Sequence, residues 1–549
     1  MKVEIKTINF ESFKDQRPGT SGLRKKVPVF MQPHYLESFI QAALDAIAET
    51  CPAGLSAETI LIGGDGRYYN RQAIQTIVRV AAANHVGGLL IARSGLLSTP
   101  AASAVIRARG ICGGFVLSAS HNPGGPSGDF GVKYNGRNGG PAPEQLTERI
   151  FALTKVLKAY RTTDASDVNI DKPAVVDLGE CRIEIIDPLE DYMALMRKLF
   201  DFPALRKMFK SGFRVRFDAM NAITGPYAKA ILEDELGAEP GSVIRALPLE
   251  DFGGLHPDPN LTYAADLVAF MNSPQAADLG AASDGDGDRN LILGPACFVT
   301  PGDSVAIIAE HAASAIPGYS GGLSGVARSM PTSTALDRVA SALKISCYEV
   351  PTGWKYFGNL MDAGKCTICG EESFGTGSSH IREKDGLWAV LCWLSVLQKT
   401  GLGVSDIVKR HWARFGRSYY QRHDYEGLSL EPANAMIEDL RSKLNALAGR
   451  AFAHSRIKSA DDFFYKDPVD GSETSRQGIR IQLEDGSRII IRLSGTGTEG
   501  ATLRVYFERF LSENVNADVE EMLQPLVLAC GELIGLKERL GRDEATVVT

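Results

Sequence analysis

The decisive stretch of this sequence is Leu117-Ser118-Ala119-Ser120-His121-Asn122-Pro123-Gly124-Gly125. An apolar run that starts at Ile111 leads into it and Pro-Gly-Gly ends it, so the pattern predicts a buried strand followed by a tight, exposed turn. A serine hydroxyl in such a turn can accept and return a charged group while neighbouring N–H groups neutralise the charge. Because Ser and Gly also build ordinary polar turns, motifs elsewhere must decide between these two interpretations.

Outward from this turn, short apolar strands alternate with amphipathic helices. The three clearest strand–polar turn–helix units cover residues 60–83, 213–236 and 325–343. In the first unit, Ile60-Leu61-Ile62 leads through Gly63-Gly64-Asp65-Gly66-Arg67 into a helical pattern. Such alternation is typical of βαβ units and a mostly parallel sheet. It therefore predicts three related α/β domains with parallel or mixed sheets.

Beyond about residue 405 the pattern changes. Strand-like runs cluster at 478–483, 488–493 and 502–508, and a helix rich in Leu and Glu closes the chain. Clustered strands followed by a helix indicate a smaller α+β domain. The predicted domains are 1–188, 189–300, 301–405 and 406–549.

The composition argues against several classes of protein. The 549 residues carry 59 Lys and Arg against 66 Asp and Glu, a net charge of −7, and no dense basic cluster, so nucleic acid is not expected as a partner. No apolar run approaches the ~20 residues of a membrane span, and the N-terminus has no apolar signal core.

Nine cysteines favour a reducing compartment over a disulfide framework. We therefore expect a cytoplasmic protein and interpret Cys366 and Cys369 as structural thiols.

The strongest chemical motif is Ser283-Asp284-Gly285-Asp286-Gly287-Asp288-Arg289-Asn290. Its three carboxylates are separated only by glycines and can converge on one point, because glycine permits the tight curl. Their mutual repulsion favours a cation among them. An EF-hand would need Gly at the sixth position and Glu at the twelfth, where this chain has Arg289 and Pro295. An open oxygen site of this kind suits Mg²⁺.

A glycine-rich motif, Arg492-Leu493-Ser494-Gly495-Thr496-Gly497-Thr498-Glu499-Gly500, lies near the C-terminus. It contains G-x-G-x-x-G, but a dinucleotide-binding fingerprint must open a helix, and a strand pattern follows here. The hydroxyls, the free backbone N–H groups and the arginines at both ends, Arg492 and Arg504, favour a phosphate clamp over a plain hairpin turn.

A third motif, Gly370-Glu371-Glu372-Ser373-Phe374-Gly375, combines several hydrogen-bond acceptors with a hydroxyl donor, which suits the hydroxyls of a sugar. Thr352-Gly353-Trp354-Lys355 could add a platform and a cation, and His380, Arg382 and Lys384 add positive charge. Each of these motifs alone is equally typical of a surface loop. Taken with the serine turn, the aspartate loop and the clamp, they predict phosphoryl transfer in a cleft where four domains meet.

The order of these motifs resembles that of the α-D-phosphohexomutase family and, within it, the phosphoglucomutase branch. The resemblance covers nearly the whole chain. It rests on eight motifs in register: GTSGLR (19–24), SASHNPGG (118–125), GDFGVKYN (128–135), DGDGDRN (284–290), PTGWK (351–355), GEESFG (370–375), HIREKDG (380–386) and RLSGTG (492–497). It implies four domains around a deep cleft, three α/β and a C-terminal α+β domain of the TATA-box-binding-protein-like type.

The resemblance also implies the residues that carry the chemistry. Ser120 would cycle through phosphoserine, and Lys133 would be a candidate for proton transfer. The implied catalytic residues are Ser120, Lys133, His121 and Arg24. The implied ligands of Mg²⁺ are Asp284, Asp286, Asp288 and an oxygen of the phosphoserine at position 120.

A larger set of residues would bind the substrate. The implied set is Thr20, Arg24, Arg289, Thr352, Gly353, Glu371, Ser373, Lys384, Arg492, Ser494, Thr496 and Arg504. Within it, Glu371 and Ser373 would grip the sugar hydroxyls. The four residues from Arg492 onward would hold the phosphate that is not reacting.

The implied reaction interconverts glucose 1-phosphate and glucose 6-phosphate. It would pass through a phosphoserine enzyme and glucose 1,6-bisphosphate, which also serves as activator. The motifs GEESFG and HIREKDG favour this glucose-specific branch. The implied partners are small-molecule sugar phosphates, with no nucleic acid and no membrane, and the protein would be a monomer or weak dimer.

The sequence departs from the family pattern at a few positions. Ser118 stands where the family usually has Thr, Ser379 replaces a common Asp, and Thr498-Glu499 replace smaller residues in the clamp. Glu499 would place a negative charge near a phosphate. The alternatives are a glucose 1,6-bisphosphate synthase, a mutase for another hexose, a metal-dependent phosphatase and a non-enzymatic scaffold. The scaffold is disfavoured because Ser120 and all three aspartates are present.

Overall fold

A computed structural model describes residues 3–19, 21–496 and 500–549 of the chain. Four main sheets of seven, five, four and seven strands occupy successive stretches of this described part, and two small sheets have two strands each. The fold is therefore the predicted one of three α/β domains followed by an α+β domain. All nine cysteines are free thiols, and Cys366 and Cys369 are buried.

The first unit carries the seven-stranded sheet that contains the serine turn. Its elements are β1 (Ile5–Asn9), β2 (Leu23–Lys26), α1 (Val27–Phe30), α2 (Tyr35–Ala48), β3 (Thr59–Gly64), α3 (Asn70–Ala83), β4 (Gly88–Leu96), α4 (Thr99–Arg109), β5 (Gly113–Leu117), β6 (Asp129–Asn135), α5 (Glu144–Thr154), β7 (Ala159–Thr163), β8 (Ala174–Leu178), β9 (Cys181–Ile186) and α6 (Pro188–Leu199).

The second and third units are smaller versions of the same plan. The second contains α7 (Phe202–Lys210), β10 (Val215–Asp218), α8 (Thr224–Ala228), β11 (Val243–Ile244), α9 (Ala265–Met271), β12 (Leu279–Ala282), β13 (Leu291–Gly294) and β14 (Cys297–Val299). The third contains α10 (Pro301–Ala315), β15 (Gly325–Ser329), α11 (Ala335–Leu343), β16 (Ser346–Val350), α12 (Trp354–Asp362), β17 (Ile368–Gly370), β18 (Thr376–Ser378), α13 (Gly386–Thr400) and α14 (Val404–Phe415).

The fourth unit is built on a long antiparallel sheet. It contains β19 (Arg417–Leu428), α15 (Leu430–Lys443), β20 (Ala451–Phe452), β21 (Ser455–Asp462), β22 (Tyr465–Lys466), β23 (Glu473–Thr474), β24 (Ile479–Leu483), β25 (Arg488–Thr496), β26 (Gly500–Leu511), α16 (Val519–Ile534), α17 (Leu536–Leu540) and β27 (Val547–Val548). The strand order β20-β21-β24-β25-β26-β19-β27 places β25 and β26 at its centre.

The first three sheets share one topology. In the first, β5, β3, β4 and β9 run parallel, and β6 returns antiparallel beside β5. In the second, β10 pairs in parallel with β11 and β12, and β13 returns antiparallel. In the third, β15 pairs in parallel with β16 and β17, and β18 returns antiparallel. The sheets are thus mixed: an antiparallel return strand follows each parallel group, and β8 in the first sheet and β14 in the second add further antiparallel pairings.

One predicted helix differs in detail. The pattern over 225–236 predicts a single α-helix, whereas the structure has α8 and then a π-helix over Lys229–Glu235. The apolar side chains Ile231, Leu232 and Leu236 are still buried. The apolar face is therefore kept although the hydrogen-bond spacing changes.

Apolar packing joins the units. One core runs through the first three and includes Ile106, Met196, Phe217 and Trp393, all less than 1% exposed. A second core joins the third and fourth units, and it packs Trp354 and Phe357 against Phe463, Ile490 and Tyr506. Burying a side chain of this size contributes about 1.5–3 kcal/mol. The units therefore pack against one another through shared apolar cores.

In the described part of the chain, no single helix is long and apolar enough to cross a membrane. Among the described residues, one bent pair, α13 and α14, which meet at 83°, satisfies the length and composition criteria when its two helices are taken together.

Glu508 on β26 ties the fourth unit to the third. Its carboxylate accepts hydrogen bonds from the backbone N–H and hydroxyl of Thr334, from Ser418 and from Arg488, at 2.6–2.8 Å. Burial would raise the pKa of Glu508, but Arg488, Arg338 and the two hydroxyls outweigh burial and lower it to about 2.

Glu508→Gln is expected to destabilise the protein in a pH-dependent way. A carboxylate with a depressed pKa contributes stability above its unfolded value of 4.5, and this stability is lost as the pH falls through the folded value of about 2. The difference in unfolding free energy between wild type and variant, up to about 3 kcal/mol at neutral pH, should therefore shrink between pH 4.5 and pH 2. Urea unfolding at several pH values measures it. The exposed Glu484→Gln serves as control, and a pH-independent difference would contradict the assignment.

Candidate active site

Three loops have the same position in their sheets. Residues 118–128 join β5 to β6, 283–290 join β12 to β13, and 371–375 join β17 to β18. Each loop follows a strand that runs parallel to its neighbour, and the carboxyl ends of parallel strands open on one crevice. The loops consequently meet: Ser120 Oγ of the first loop lies 3.0 Å from Asp284 Oδ2 of the second, and Asn290 N of the second donates to Phe374 O of the third at 2.9 Å.

Ser120 lies in the first loop with a left-handed φ of 52°. Its Oγ donates to Asp284 Oδ2 at 3.0 Å and lies 3.3 Å from Nδ1 of His121. Burial, together with Arg289 and Arg24, holds the pKa of His121 well below its usual value. The imidazole is therefore neutral at pH 7 and can exchange a proton with the hydroxyl.

The aspartate loop is buried against the serine turn. A Cβ on Gly285 would lie 2.3 Å from Ser120 O, so only glycine allows this approach. The ligand oxygens of Asp284, Asp286 and Asp288 lie within 4.8 Å of one another. Oδ1 of Asp286 and Oδ1 of Asp288 are buried and have no hydrogen-bond partner. Buried carboxylate oxygens of this kind need a cation, so the three side chains fit a divalent metal ion.

Electrostatics support the same interpretation of the triad. Burial raises the pKa of Asp284 and of Asp288, and the like charges of their neighbours add to this effect. Burial would also raise the pKa of Asp286, but Lys133, the Thr99 hydroxyl and Lys384 outweigh it and lower the value to about 2. A divalent cation would relieve the electrostatic repulsion between these three carboxylates.

Three cations from different segments, one strand and two loops, line the same space. Lys133 on β6 pairs with Glu383 at 2.9 Å, and Lys384 pairs with Asp288 at 3.1 Å. Arg289 pairs with Asp258 at 3.2 Å. All of them are largely buried, so their charges are screened little by water and act on any anion in the cleft.

The third loop forms a polar wall. The Glu371 carboxylate accepts the N–H of Gly353 at 3.3 Å, which joins the loop 371–375 to the start of α12. Burial raises the pKa of Glu371, and the nearby Lys384 opposes this shift. Thr352 and Ser373 add hydroxyl groups to the same wall. The wall presents both acceptors and donors, as recognition of a polyol requires.

Two arginines of the fourth unit face this wall. Arg492 on β25 and Arg504 on β26 are direct cross-strand partners, so their side chains leave the same face of the sheet. Arg492 Nη2 donates to Thr352 Oγ1 at 2.5 Å. The Ser494 hydroxyl instead donates to Thr502 O at 3.4 Å within the hairpin. The predicted residue Thr20, the side chain of Thr496 and residues 497–499 lie outside what the structure describes.

These groups surround one cavity of about 300 Å³. Most of the predicted site residues line it: Arg24, Ser120, Lys133, Asp286, Asp288, Arg289, Thr352, Gly353, Glu371, Ser373, Lys384, Arg492 and Arg504. His121 and Asp284 touch the hydroxyl of Ser120, whereas Ser494 is not among the lining residues. The cavity also includes Ser21, Pro141, Trp354, Glu372 and Glu383. Glu383 was not predicted, because its role depends on Lys133, which is 250 positions away in the chain.

Three of the expected cations serve elsewhere. Lys355 pairs with Glu144 of the first unit, and Arg382 pairs with Asp362 within the third unit. His380 is buried between Ser378 and Asp385, with Nε2 2.9 Å from Asp385 Oδ2. Because Asp385 also caps α13, this histidine closes the loop that carries Glu383 and Lys384. Its contacts are structural.

Comparison with known proteins places this site in the class of sugar-phosphate mutases. Residues 15–161, 190–296 and 301–415 match the α/β/α domains I, II and III of phosphoglucomutase/phosphomannomutase. Residues 417–546 match the C-terminal domain of phosphoglucomutase-1. The chain belongs to the phosphoglucomutase family, which confirms the predicted family and fold class.

Full-length relatives support this assignment. The chain is 55% identical over 547 residues to the phosphoglucomutase of Rhizobium radiobacter, which covers 99% of this chain and 100% of that protein. It is 50% identical to the cytoplasmic phosphoglucomutase of Solanum tuberosum, and the match covers 100% of this chain and 99% of that protein. The solved structure of Paramecium parafusin, a phosphoglucomutase in an open form, superimposes with a TM-score of 0.93 at 44% identity and covers 100% of both chains.

Proposed function

We propose that the protein interconverts glucose 1-phosphate and glucose 6-phosphate through a phosphorylated Ser120. The observation that carries this proposal is that Ser120 Oγ, 3.0 Å from Asp284 Oδ2, lines the same cavity as the cross-strand pair Arg492 and Arg504 of the fourth unit. A sugar with two phosphates needs both features, one to exchange a phosphoryl group and one to hold the second phosphate.

The first half-reaction transfers the phosphoryl group to the sugar. The bond between Ser120 Oγ and phosphorus breaks, and a bond forms between phosphorus and the free hydroxyl oxygen of the hexose monophosphate. The hydroxyl proton leaves the sugar and Oγ gains a proton, so the overall step is balanced. His121, 3.3 Å from Oγ, and Lys133 are the groups placed to move that proton.

The second half-reaction returns the other phosphate. Glucose 1,6-bisphosphate turns over within the cavity, so that its second phosphoryl group faces Ser120 and the first reaches the arginine pair. Ser120 then takes the phosphoryl group and releases the isomeric monophosphate. Arg24, Arg289 and Lys384 line the cavity together with Ser120, and Arg492 and Arg504 line it from the fourth unit. Both phosphates of the bisphosphate therefore meet cations, whichever of them faces Ser120.

We assign the divalent metal to Mg²⁺, held by Asp284, Asp286, Asp288 and an oxygen of phosphoserine. When bound, the ion neutralises negative charge on the transferring phosphoryl group. Glu371 and Ser373 hold the sugar hydroxyls, and Thr352 and Gly353 support this wall. The two unpartnered oxygens of the triad support the metal assignment.

The wider expectations remain part of this proposal. Glucose 1,6-bisphosphate acts as activator by phosphorylating Ser120, and Thr20, Ser494 and Thr496 join the phosphate contacts when substrate binds. The domain bounds 1–188, 189–300, 301–405 and 406–549 stay a prediction; the third unit described above runs on through α14 to Phe415. The protein is a cytoplasmic monomer or weak dimer that acts on small sugar phosphates, without a nucleic-acid or membrane partner.

A coupled assay for glucose 6-phosphate tests the activity. The protein should turn over glucose 1-phosphate only with Mg²⁺, and glucose 1,6-bisphosphate should raise the rate. Mannose 1-phosphate and N-acetylglucosamine 1-phosphate, assayed in parallel, should be poorer substrates. A preference for either would make the protein a mutase for another hexose. Release of inorganic phosphate without isomerisation would make it a phosphatase.

Arg504→Ala is expected to weaken substrate binding at the end remote from Ser120. Loss of a charge-assisted hydrogen bond to phosphate costs about 1.5–3 kcal/mol, so kcat/KM for glucose 1-phosphate should fall about 10–100-fold, mainly through KM. Arg509→Ala on the same strand is the matched control, because that side chain donates to Met522 O outside the cavity. An unchanged KM in Arg504→Ala would remove this arginine from the clamp.

A further inference from the structure

The mechanism above leaves one motif of the sequence unused, namely Gly63-Gly64-Asp65-Gly66-Arg67. It ends β3, next to β5, which leads into the serine turn. The side chains of Asp65 and Arg67 are both 0% exposed and form an ion pair at 2.9 Å. Burying an ion pair costs desolvation free energy, so further hydrogen bonds must stabilise these two side chains.

The guanidinium of Arg67 binds the backbone of the serine turn. Nη2 donates to Ser120 O at 2.8 Å. Nη1 donates to Asp129 O at 2.8 Å and to Asn122 O at 3.4 Å. One buried cation thus binds three carbonyl oxygens along the turn, those of Ser120, Asn122 and Asp129.

The carboxylate of Asp65 reaches the other side of the same residue. Its Oδ2 accepts the hydroxyl of Ser118 at 2.7 Å, and that hydroxyl accepts the N–H of Ser120 at 2.7 Å. The network therefore holds both the N–H and the C=O of Ser120. With both peptide groups fixed, the direction of the side chain from Cα is fixed as well.

The backbone of Ser120 needs this support. Its φ of 52° lies in the left-handed region, which a residue with a Cβ occupies only against an energetic cost. In this conformation Oγ reaches Asp284 at 3.0 Å. A misplacement of about 1 Å between reacting groups can lower a rate about a hundredfold.

We propose that Asp65, Arg67 and Ser118 are positioning residues for phosphoryl transfer, because they hold Ser120 in the left-handed conformation that aims its Oγ at the metal site and the cavity. This inference rests on the proposed function. It assigns a chemical role to the end of β3, which does not itself line the cavity.

The second unit offers a matched control. Asp218, at the end of β10, pairs with Arg245 and accepts the N–H of Met220 at 2.9 Å, just as Asp65 accepts the N–H of Arg67 at 3.1 Å. However, within the described part of the chain, the guanidinium of Arg245 donates its hydrogen bonds to Asp218 and not to the aspartate loop. Arg245→Lys therefore disturbs a similar pair without releasing a catalytic turn.

The test compares Arg67→Lys, Ser118→Ala, Ser118→Thr and Arg245→Lys with wild type. We measure kcat, KM, melting temperature and the rate at which glucose 1,6-bisphosphate phosphorylates Ser120, followed by intact mass. Arg67→Lys should lower kcat and the phosphorylation rate at least about thirtyfold, and Ser118→Ala about tenfold, with KM within about threefold of wild type. Ser118→Thr keeps the hydroxyl and should restore the rate. Arg245→Lys should lower the melting temperature and keep the rate.

The outcomes are distinct. A kcat within twofold of wild type in both Arg67→Lys and Ser118→Ala would overturn the inference, as would a loss in Ser118→Thr equal to that in Ser118→Ala. If Arg67→Lys does not fold, the Ser118 pair decides alone. A wild-type protein that neither isomerises glucose 1-phosphate nor takes up a phosphoryl group would instead refute the proposed function, whatever the variants do.

Discussion

Ser120→Ala is expected to reduce mutase turnover at least about a thousandfold, the scale of loss seen when a covalent nucleophile is removed. The variant keeps the backbone contacts of Ser120 but has no oxygen to carry the phosphoryl group between the two positions of the sugar. The coupled assay measures the loss. Intact mass after incubation with glucose 1,6-bisphosphate should show phosphorylation of wild type and none of the variant.

A matched serine separates this effect from general damage. Ser395 is buried on α13, and its hydroxyl donates to Leu391 O, away from the cavity. Ser395→Ala should keep both turnover and phosphorylation. Near-normal activity in purified Ser120→Ala would show that another group carries the phosphoryl, and the assignment of the nucleophile would then be wrong.

The parts of the site that the sequence predicts are those whose chemistry is local. The three aspartates of 284–288 are separated by single glycines, so their convergence follows from short-range geometry alone. Arg492 and Arg504 flank a hairpin, so strand pairing brings them together. The strand–turn–helix units likewise predict the α/β domains, because apolar periodicity is a property of each segment.

The parts that the sequence does not predict depend on contacts between distant segments. Lys133 meets Glu383 only because the third unit packs against the first. The residues 63–67 look like an ordinary end of a strand, and only the register between β3 and β5 places Arg67 beneath Ser120. The topology also explains the mixed sheets: each site loop returns as an antiparallel strand, which a periodic pattern of apolar residues does not distinguish from a parallel one.

Asp286→Asn is expected to abolish the response of the protein to Mg²⁺. In wild type, Oδ2 of Asp286 accepts the Thr99 hydroxyl at 2.6 Å and Oδ1 has no partner. An asparagine can keep the contact with Thr99, but it removes a negative charge and places an amide where the free oxygen was. Loss of even an outer contact of a metal site costs about 10–100-fold in affinity, so a direct ligand should cost at least as much.

Two measurements check this prediction without depending on each other. Mg²⁺ should raise the melting temperature of wild type and of the control Asp303→Asn. In wild type, Asp303 is buried and its Oδ2 accepts the N–H of Trp412 Nε1 at 3.1 Å, outside the triad. It should leave Asp286→Asn unchanged, and turnover of that variant should fall at least about a hundredfold. Because Lys133, the Thr99 hydroxyl and Lys384 lower the pKa of Asp286 to about 2, its charge stabilises the fold even without metal, and metal-free Asp286→Asn should be somewhat less stable than metal-free wild type at neutral pH. A variant that is destabilised without metal yet still stabilised by Mg²⁺ would show that Asp286 supports the loop rather than the ion.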